Sequence, residues 1–403
     1  MNDKNKFSAG EQGLGYIYQP RFALLKILQL PESTAVLIEK DDDLDFIDAD
    51  GKKSLGSLKH KAEGERLADL GVDFWKSVRV WLAAYKRESR ITSNLKFFLF
   101  TTATISETSF LGHFRPGAPA LPADQSLLKL AEDALAETTS ALILGIAKEF
   151  GDLPENERTD FLSRISIFEA SPRIEDLPPL IMDLMRVVKR ENRQAVFERL
   201  EGWWNDCTIK LLTRERDTAI TGFEVSDKLA SINSEYQEDN LPITFRKAEP
   251  AGGVLVDTDS RMFVRQLREI GIGSARIRNA IIDYYRAFEQ RSSWARESLL
   301  ISDEIEDYEE RLVDEWSRYK DVVFETLDET TAEDLLQDAG RELYRWADLE
   351  SGNIASLRIR ERVSEPYVIR GGFHILANFM PKPKVWWHPR FLDRLDEALG
   401  VKR

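Results

Sequence analysis

Apolar and polar positions fall into three regimes along the chain. The run GYIYQPRFALLKILQL reads as helical after Pro20, with Phe22, Leu25, Ile27, Leu28 and Leu30 supplying its apolar face. Short strand patterns follow over residues 35–39, 44–47 and 54–59. Asp50 and Gly51 separate the last two and signal a hairpin, because a tight connection needs residues that accept positive φ. In ERLADLGVDFWKSVRVWLAAYKRES, Phe74, Trp75, Val78, Trp81, Leu82 and Tyr85 recur every three or four residues, the stripe of an amphipathic helix. LKFFLFTTATI, residues 95–105, is the continuous apolar and β-branched run of a buried strand. Helix, three strands, helix, strand is an α/β order.

Glycine and proline in GHFRPGAPALPADQ end this unit near residue 120. From there to about 235 the pattern is mostly helical, clearest in QSLLKLAEDALAETTSALILGIAKEF and RQAVFERLEGWWNDCTIKLLT, where Trp203 and Trp204 read as core and docking residues. A turn-rich stretch over 236–260 precedes a further helical region, in which Ile305, Tyr308, Leu312, Trp316 and Tyr319 lie along one face. The organisation expected is an α/β domain over residues 1–118, a helical connecting domain over 119–235 and a mainly helical region over 236–403.

Composition narrows the chemistry. The single cysteine, Cys207, excludes a disulfide framework and a thiolate zinc cluster, and the four histidines at 60, 113, 374 and 388 are too far apart in sequence for a local His-x-x-x-His site. No Walker A motif supports an intrinsic ATPase. MNDKNKFSAGEQG lacks the apolar core of a signal peptide, and no apolar run reaches the roughly 18 residues of a membrane span, so a cytoplasmic protein is expected. The net charge of −14 opposes a polyanionic partner, yet it is unevenly placed. Residues 1–115 hold 17 Lys and Arg against 16 Asp and Glu, and the remainder 39 against 54. Lys61 and the helix carrying Lys76, Arg79, Lys86 and Arg87 are the candidate DNA-phosphate contacts; the plainer reading of that helix is a solvated face.

The hairpin suggests a site. Asp43 and Asp45 share a face if their strand starts early, as do Ser57, Lys59 and Lys61 on the next, because side chains alternate along a strand. Closing the turn at Asp50 and Gly51 lays carboxylates beside a lysine. Hard divalent cations take carboxylate oxygens and retain water, and such an ion activates water and neutralises phosphate charge. Lys59 would then steady the attacking water. Glu39 either adds a ligand or holds the hairpin, and His60, alternating away from Lys59, reads as a packing residue.

GLGYIYQ, IEKDDDLDF, SLKHK and DFWKSVRVW, in this order, resemble the N-terminal nuclease domain of CD-NTase-associated double-strand DNA endonucleases, a branch of the PD-(D/E)xK, restriction-endonuclease-like fold. Tyr18 and Gln19 match the family's first-helix pair, Glu39 its glutamate, Asp42, Asp43 and Leu44 its acidic step, and Lys59 and His60 its lysine strand. The resemblance implies an α/β nuclease domain followed by mostly α-helical middle and C-terminal regions. It implies Asp43 as a metal ligand, joined by Asp45 and Glu39, Lys59 as the catalytic lysine, Gln19 as a supporting polar group, and Mg²⁺, with Mn²⁺ able to substitute. Ser57 departs from the family's glutamine and, being short and neutral, would reach an ion only through water.

FVRQLREIGIGSARIRNAIIDYYRAFEQRSSWARESLL, YEERLVDEW and the late GGFHILAN resemble the C-terminal domain of effector subunits in ABC three-component systems, which include the Lamassu anti-phage family. This implies an SMC-like ATPase partner and a small accessory subunit, with release or oligomerisation of the nuclease on activation. Arg291, Trp294, Arg296, Tyr308, Trp316, Trp387 and His388 read either as anchors of such an interface or as ordinary helical core. Two other functions compete with a DNA endonuclease: a catalytically weakened DNA-binding or assembly subunit, and an adaptor with a solvated acidic hairpin.

Overall fold

A single helix, α1 (Ala9–Gln29), opens the first of two units, running through Pro20 rather than starting after it. Proline forfeits one backbone hydrogen bond inside a helix, and the helix is held there from outside: Trp204 Nε1 donates to Pro20 O at 2.7 Å and Arg21 pairs with Glu201 at 2.6 Å. The computed structural model describes residues 9–301 and 303–398. The segment before residue 9, part of the stretch read for a signal peptide, lies outside the described residues.

Eight short strands follow in unit 1, which ends at Ile232. They are β1 (Ala35–Ile38), β2 (Leu44–Ile47), β3 (Lys53–Lys59), β4 (Arg66–Leu67), β5 (Lys96–Thr101), β6 (Thr104–Ile105), β7 (Ile165–Phe168) and β8 (Ile220–Thr221). Six form one sheet in the order β7-β5-β3-β2-β1-β8, while β4 and β6 pair separately. The β1–β2 and β2–β3 pairs are antiparallel and β3–β5 and β5–β7 parallel. The hairpin closes at Gly51, whose φ is +76°, with Gly51 N donating to Asp48 O at 3.0 Å. The parallel step from β3 to β5 is bridged by α2 (Val72–Arg87). The apolar run at 95–105 is broken after Thr101: Thr102 Oγ1 accepts from Lys61 N and donates to Lys61 O, diverting the chain into the second sheet.

The remaining helices of this stretch are α3 (Leu127–Ala136), α4 (Ala141–Gly151), α5 (Glu155–Ser163), α6 (Leu177–Leu184), α7 (Arg193–Leu212) and α8 (Gly222–Ser234). Side-chain alternation on β5 divides the core. Phe97 stacks on Trp81 of α2, and Phe100 packs against Phe22 of α1. Helices α2 to α5 thus cover one face, and α1, α6 and α7 the other. Both outer strands, β7 and β8, arise from the stretch read as helical. Four residues of alternation, Ile165–Phe168, are too few to stand out from helical periodicity.

Unit 2, Asn233–Arg403, is mostly helical over its described residues: α9 (Met262–Glu269), α10 (Ser274–Arg296), α11 (Glu304–Phe324), α12 (Glu333–Arg345), α13 (Pro366–Ala377) and α14 (Phe391–Ala398). Trp294, Tyr308, Trp316 and Trp387 are core residues here, and Arg291 and His388 are buried, which removes all six as surface anchors; Arg296 alone of that set is exposed. Two of the buried residues find partners for their polar ends inside the unit. Trp294 Nε1 donates to Pro242 O at 2.8 Å, and Arg291 pairs with Glu309 at 3.0 Å. Among the described residues no helix is long and apolar enough to cross a membrane.

Candidate active site

Asp43 ends the bend between β1 and β2, where Glu39, at φ +54°, reverses the chain and donates its amide to Asp43 O at 3.0 Å. The hairpin turns the Asp43 carboxylate toward the end of β3. Its Oδ2 accepts from Leu58 N at 2.6 Å and lies 3.9 Å from Lys59 Nζ, and its Oδ1 accepts from Gln19 Nε2 of α1 at 3.1 Å. These groups open onto a cleft of ≈ 410 Å³ lined also by Glu39, Lys61 and Asp73, with Tyr16, Tyr18, Leu58 and His60 among its walls. Gln19, Glu39, Asp43, Lys59 and Lys61 are therefore brought together.

Asp45 is not. Its side chain is fully buried, 2.8 Å from Lys53, and accepts from the amides of Asp41 and Asp42 at 3.3 and 3.2 Å. Burial raises its pKa against the pull of Lys53. It caps the bend from inside, and the role of metal ligand assigned to it has no place in this arrangement. The shared-face expectation fails because Asp43 precedes the extended strand, which starts at Leu44. Asp41 closes the same network with Lys53 and, at 2.9 Å, Arg87; burial opposes its ionisation, but the two cations hold it below the usual carboxylate range.

Ser57 stands behind the cleft. Its hydroxyl, buried with Ser77, accepts from Lys59 Nζ at 2.9 Å and lies 2.7 Å from Ser77 Oγ, so it orients the lysine instead of reaching a cation. The basic helix is only partly free: Arg79 pairs with Glu149 of α4 at 3.2 Å and Lys86 donates to Glu149 O at 3.1 Å. Lys76 is exposed beside the cleft acid Asp73. His60 packs on Tyr18 with ring centroids 5.0 Å apart, and burial, then Arg173, push its pKa down.

Three groups that matter carry little signal in sequence. Trp81 Nε1 donates to Asp42 Oδ2 at 2.6 Å, and burial, reinforced by the Asp43 charge, pushes the Asp42 carboxyl up to about 6. Asp73, in the first turn of α2, forms an ion pair with Lys61 in the cleft. Ser77 completes the hydroxyl contact with Ser57. Only their place on α2 was readable, since the partners come from the β1–β2 bend and from β3 and the residues just after it.

The donor set suits a hard cation that keeps most of its water, for which one or two carboxylates suffice. Asp43 supplies a central carboxylate and Glu39 one at the rim. Among the described residues no three His, Cys, Asp or Glu side chains are grouped so that together they could hold an ion, so a closed protein cage of the zinc kind does not fit. Residues 263–395, about a third of the chain, match the family model of C-terminal domain 7 of the ABC-three component systems. That match associates the chain with a multicomponent anti-phage defence system. No curated protein and no solved structure matches it.

Proposed function

We propose that this chain is a metal-dependent endonuclease acting on double-stranded DNA, the effector subunit of a Lamassu-like anti-phage complex with an SMC-like ATPase and a small accessory subunit. The observation that carries the reading is the meeting of Asp43 and Lys59 at 3.9 Å in an open cleft, although they stand 16 positions apart along the hairpin. Counting only strands of the six-stranded sheet, the αβββαβ order, with α2 bridging a parallel β3–β5 pair, supports a restriction-endonuclease-like core. The C-terminal match supports membership of a multisubunit assembly. Its setting would be cytoplasmic.

In this reading Asp43 and Glu39 hold Mg²⁺ or Mn²⁺, which supplies an acidified water and charge neutralisation when bound. The protein's own groups do the rest. Gln19 and the Leu58 amide fix the Asp43 carboxylate from two sides, so its remaining lone pairs face the cleft. The Lys59 ammonium, held by Ser57, faces the charge that develops on the attacked phosphate. Lys61 and Lys76 sit beside the cleft as phosphate contacts.

One observation favours a second reading, a catalytically weakened DNA-binding or assembly subunit. Ser57 is committed to Lys59 and Ser77, so no ligand occupies the position where the resembled family carries glutamine. Purified chain and assembled complex, given linear and circular duplex DNA with Mg²⁺ or EDTA, decide between them. The endonuclease reading expects Mg²⁺-dependent cleavage that Asp43→Asn and Lys59→Ala abolish without unfolding. DNA binding with no cleavage in either preparation selects the weakened subunit, and cleavage unchanged in both variants removes the site.

A further inference from the structure

Lys59 begins a chain of hydrogen bonds whose direction is forced. An ammonium only donates, so Ser57 Oγ, at 2.9 Å, accepts. At the far end Ser77 Oγ lies 3.2 Å from the Asp73 carbonyl, which only accepts, so Ser77 donates there. Between them Ser57 and Ser77 are 2.7 Å apart. Ser77 has spent its hydrogen, and Ser57 must therefore give its own to Ser77. The order Lys59, Ser57, Ser77, Asp73 O is the one that satisfies every group.

We infer that Ser77 is a positioning residue for Lys59, acting through Ser57; this rests on the reading of Lys59 as the group that faces the substrate phosphate. Both serines are 2% exposed and neither lines the cleft, so neither is placed to attack a substrate itself. What the chain of bonds controls is where the ammonium rests. Lys59 Nζ sits on Ser57 at 2.9 Å and stays 3.9 Å from Asp43 Oδ2, short of a direct contact. Asp43 Oδ2 is thereby left to the Leu58 amide and the open cleft. Without the Ser77 oxygen, the Ser57 hydrogen loses its acceptor in a buried site, where an unpaired polar group is costly. Ser57 then turns, and the Asp43 carboxylate, 3.9 Å from Lys59, stands ready as its acceptor. The lysine closes onto the carboxylate and leaves the cleft with its two central charges cancelled.

The test reads Lys59 directly, without relying on cleavage. The full chain is treated with acetic anhydride at fixed pH, and acylation at Lys59 and at exposed Lys76 is followed by peptide mass mapping. Closing the ion pair in Ser77→Ala slows Lys59 acylation about fivefold, the factor a difference near 1 kcal/mol produces, while Lys76 is unchanged. Ser77→Thr, which keeps the hydroxyl, restores the rate; Asp43→Asn added to Ser77→Ala restores it too, by removing the carboxylate. An unchanged or faster Lys59 rate in Ser77→Ala overturns the inference, and should threonine not fit the site, the alanine comparison decides alone. In cleavage assays the same variant lowers kcat about tenfold with KM nearly constant, the signature of a misplaced group rather than lost binding. A slowed Lys59, with no cleavage by either the chain or the assembled complex, leaves the positioning intact and overturns the endonuclease reading instead.

Discussion

Asp45 and Lys53 form an ion pair at 2.8 Å with no part of the Asp45 side chain exposed, while Asp43, two residues earlier, faces an open cleft. Two neighbouring carboxylates thus have separate tasks. Removing the Asp45 charge leaves Lys53 its pair with Asp41, but turns an amide NH2 toward the ammonium or a backbone N–H in a buried site, at a cost of about 1 to 3 kcal/mol. Asp45→Asn is expected to lower stability by that order in urea melts, and to leave the Mn²⁺ binding of the folded protein, read by calorimetry, unchanged. Asp43→Asn should do the reverse, keeping stability within about 1 kcal/mol and losing the binding heat. Equal metal loss in both variants would return Asp45 to the site.

Lys61 and Asp73 pair inside the cleft, so a DNA phosphate that reaches Lys61 must displace a carboxylate. Burial disfavours the Asp73 charge, but Lys61, Lys59 and Lys76 outweigh it and hold the acid below its usual range. The competitor is therefore charged at neutral pH. Asp73→Asn should tighten duplex binding about threefold to tenfold at low salt and steepen the salt dependence by about one counterion, measured by fluorescence anisotropy in EDTA. An unchanged affinity would take Lys61 off the DNA path.

The parts of this arrangement that were legible in sequence depend on local rules. Asp50 and Gly51 announce the hairpin, strand alternation separates Lys59 from His60, and the hairpin then brings Lys59 to Asp43. What was hidden depends on which distant partner a side chain meets. Nothing around Ser77 says that it faces Ser57, and the basic stripe of α2 does not reveal that Arg79 and Lys86 find Glu149 on a helix about 60 residues on. Trp294 and Trp316 show the same ambiguity: helical spacing marks a buried stripe but not whether the burying surface is the same chain.

Helix α13 crosses α10 at Gly371, where a Cβ would fall well inside contact distance of Asp283 O and Ala287 Cβ. The obstacle is backbone on one side and a methyl with no freedom on the other. Alanine would gain up to about 1 kcal/mol in helix propensity, against an overpacking cost of about 3 kcal/mol. The net expectation for Gly371→Ala is a loss of about 2 kcal/mol, seen as an earlier unfolding transition, and a neutral or stabilised variant would mean that the two helices part readily.

His374, on the same helix, is fully buried between Phe263 and Tyr344, with ring centroids 5.2 and 6.0 Å away, and neither ring nitrogen has a hydrogen-bond partner among the described residues. Burial, aided by Arg370 and Arg261, pushes its pKa down to about 3 from the ordinary 6.5. The sign follows from proton counting. Below pH 6.5 the unfolded chain takes up a proton that the folded unit refuses, so this histidine's contribution is complete above 6.5 and declines as pH falls toward 3. The slope within that window is about 1.4 kcal/mol per pH unit. His374→Phe removes the titrating group and breaks no hydrogen bond, and it should flatten the pH dependence of urea melts between pH 6 and 4.5 by about that slope. If variant and wild type lose stability in parallel across this range, the imidazole is reached by water or by a proton donor in the folded state, and its burial does not govern the acid sensitivity of the unit.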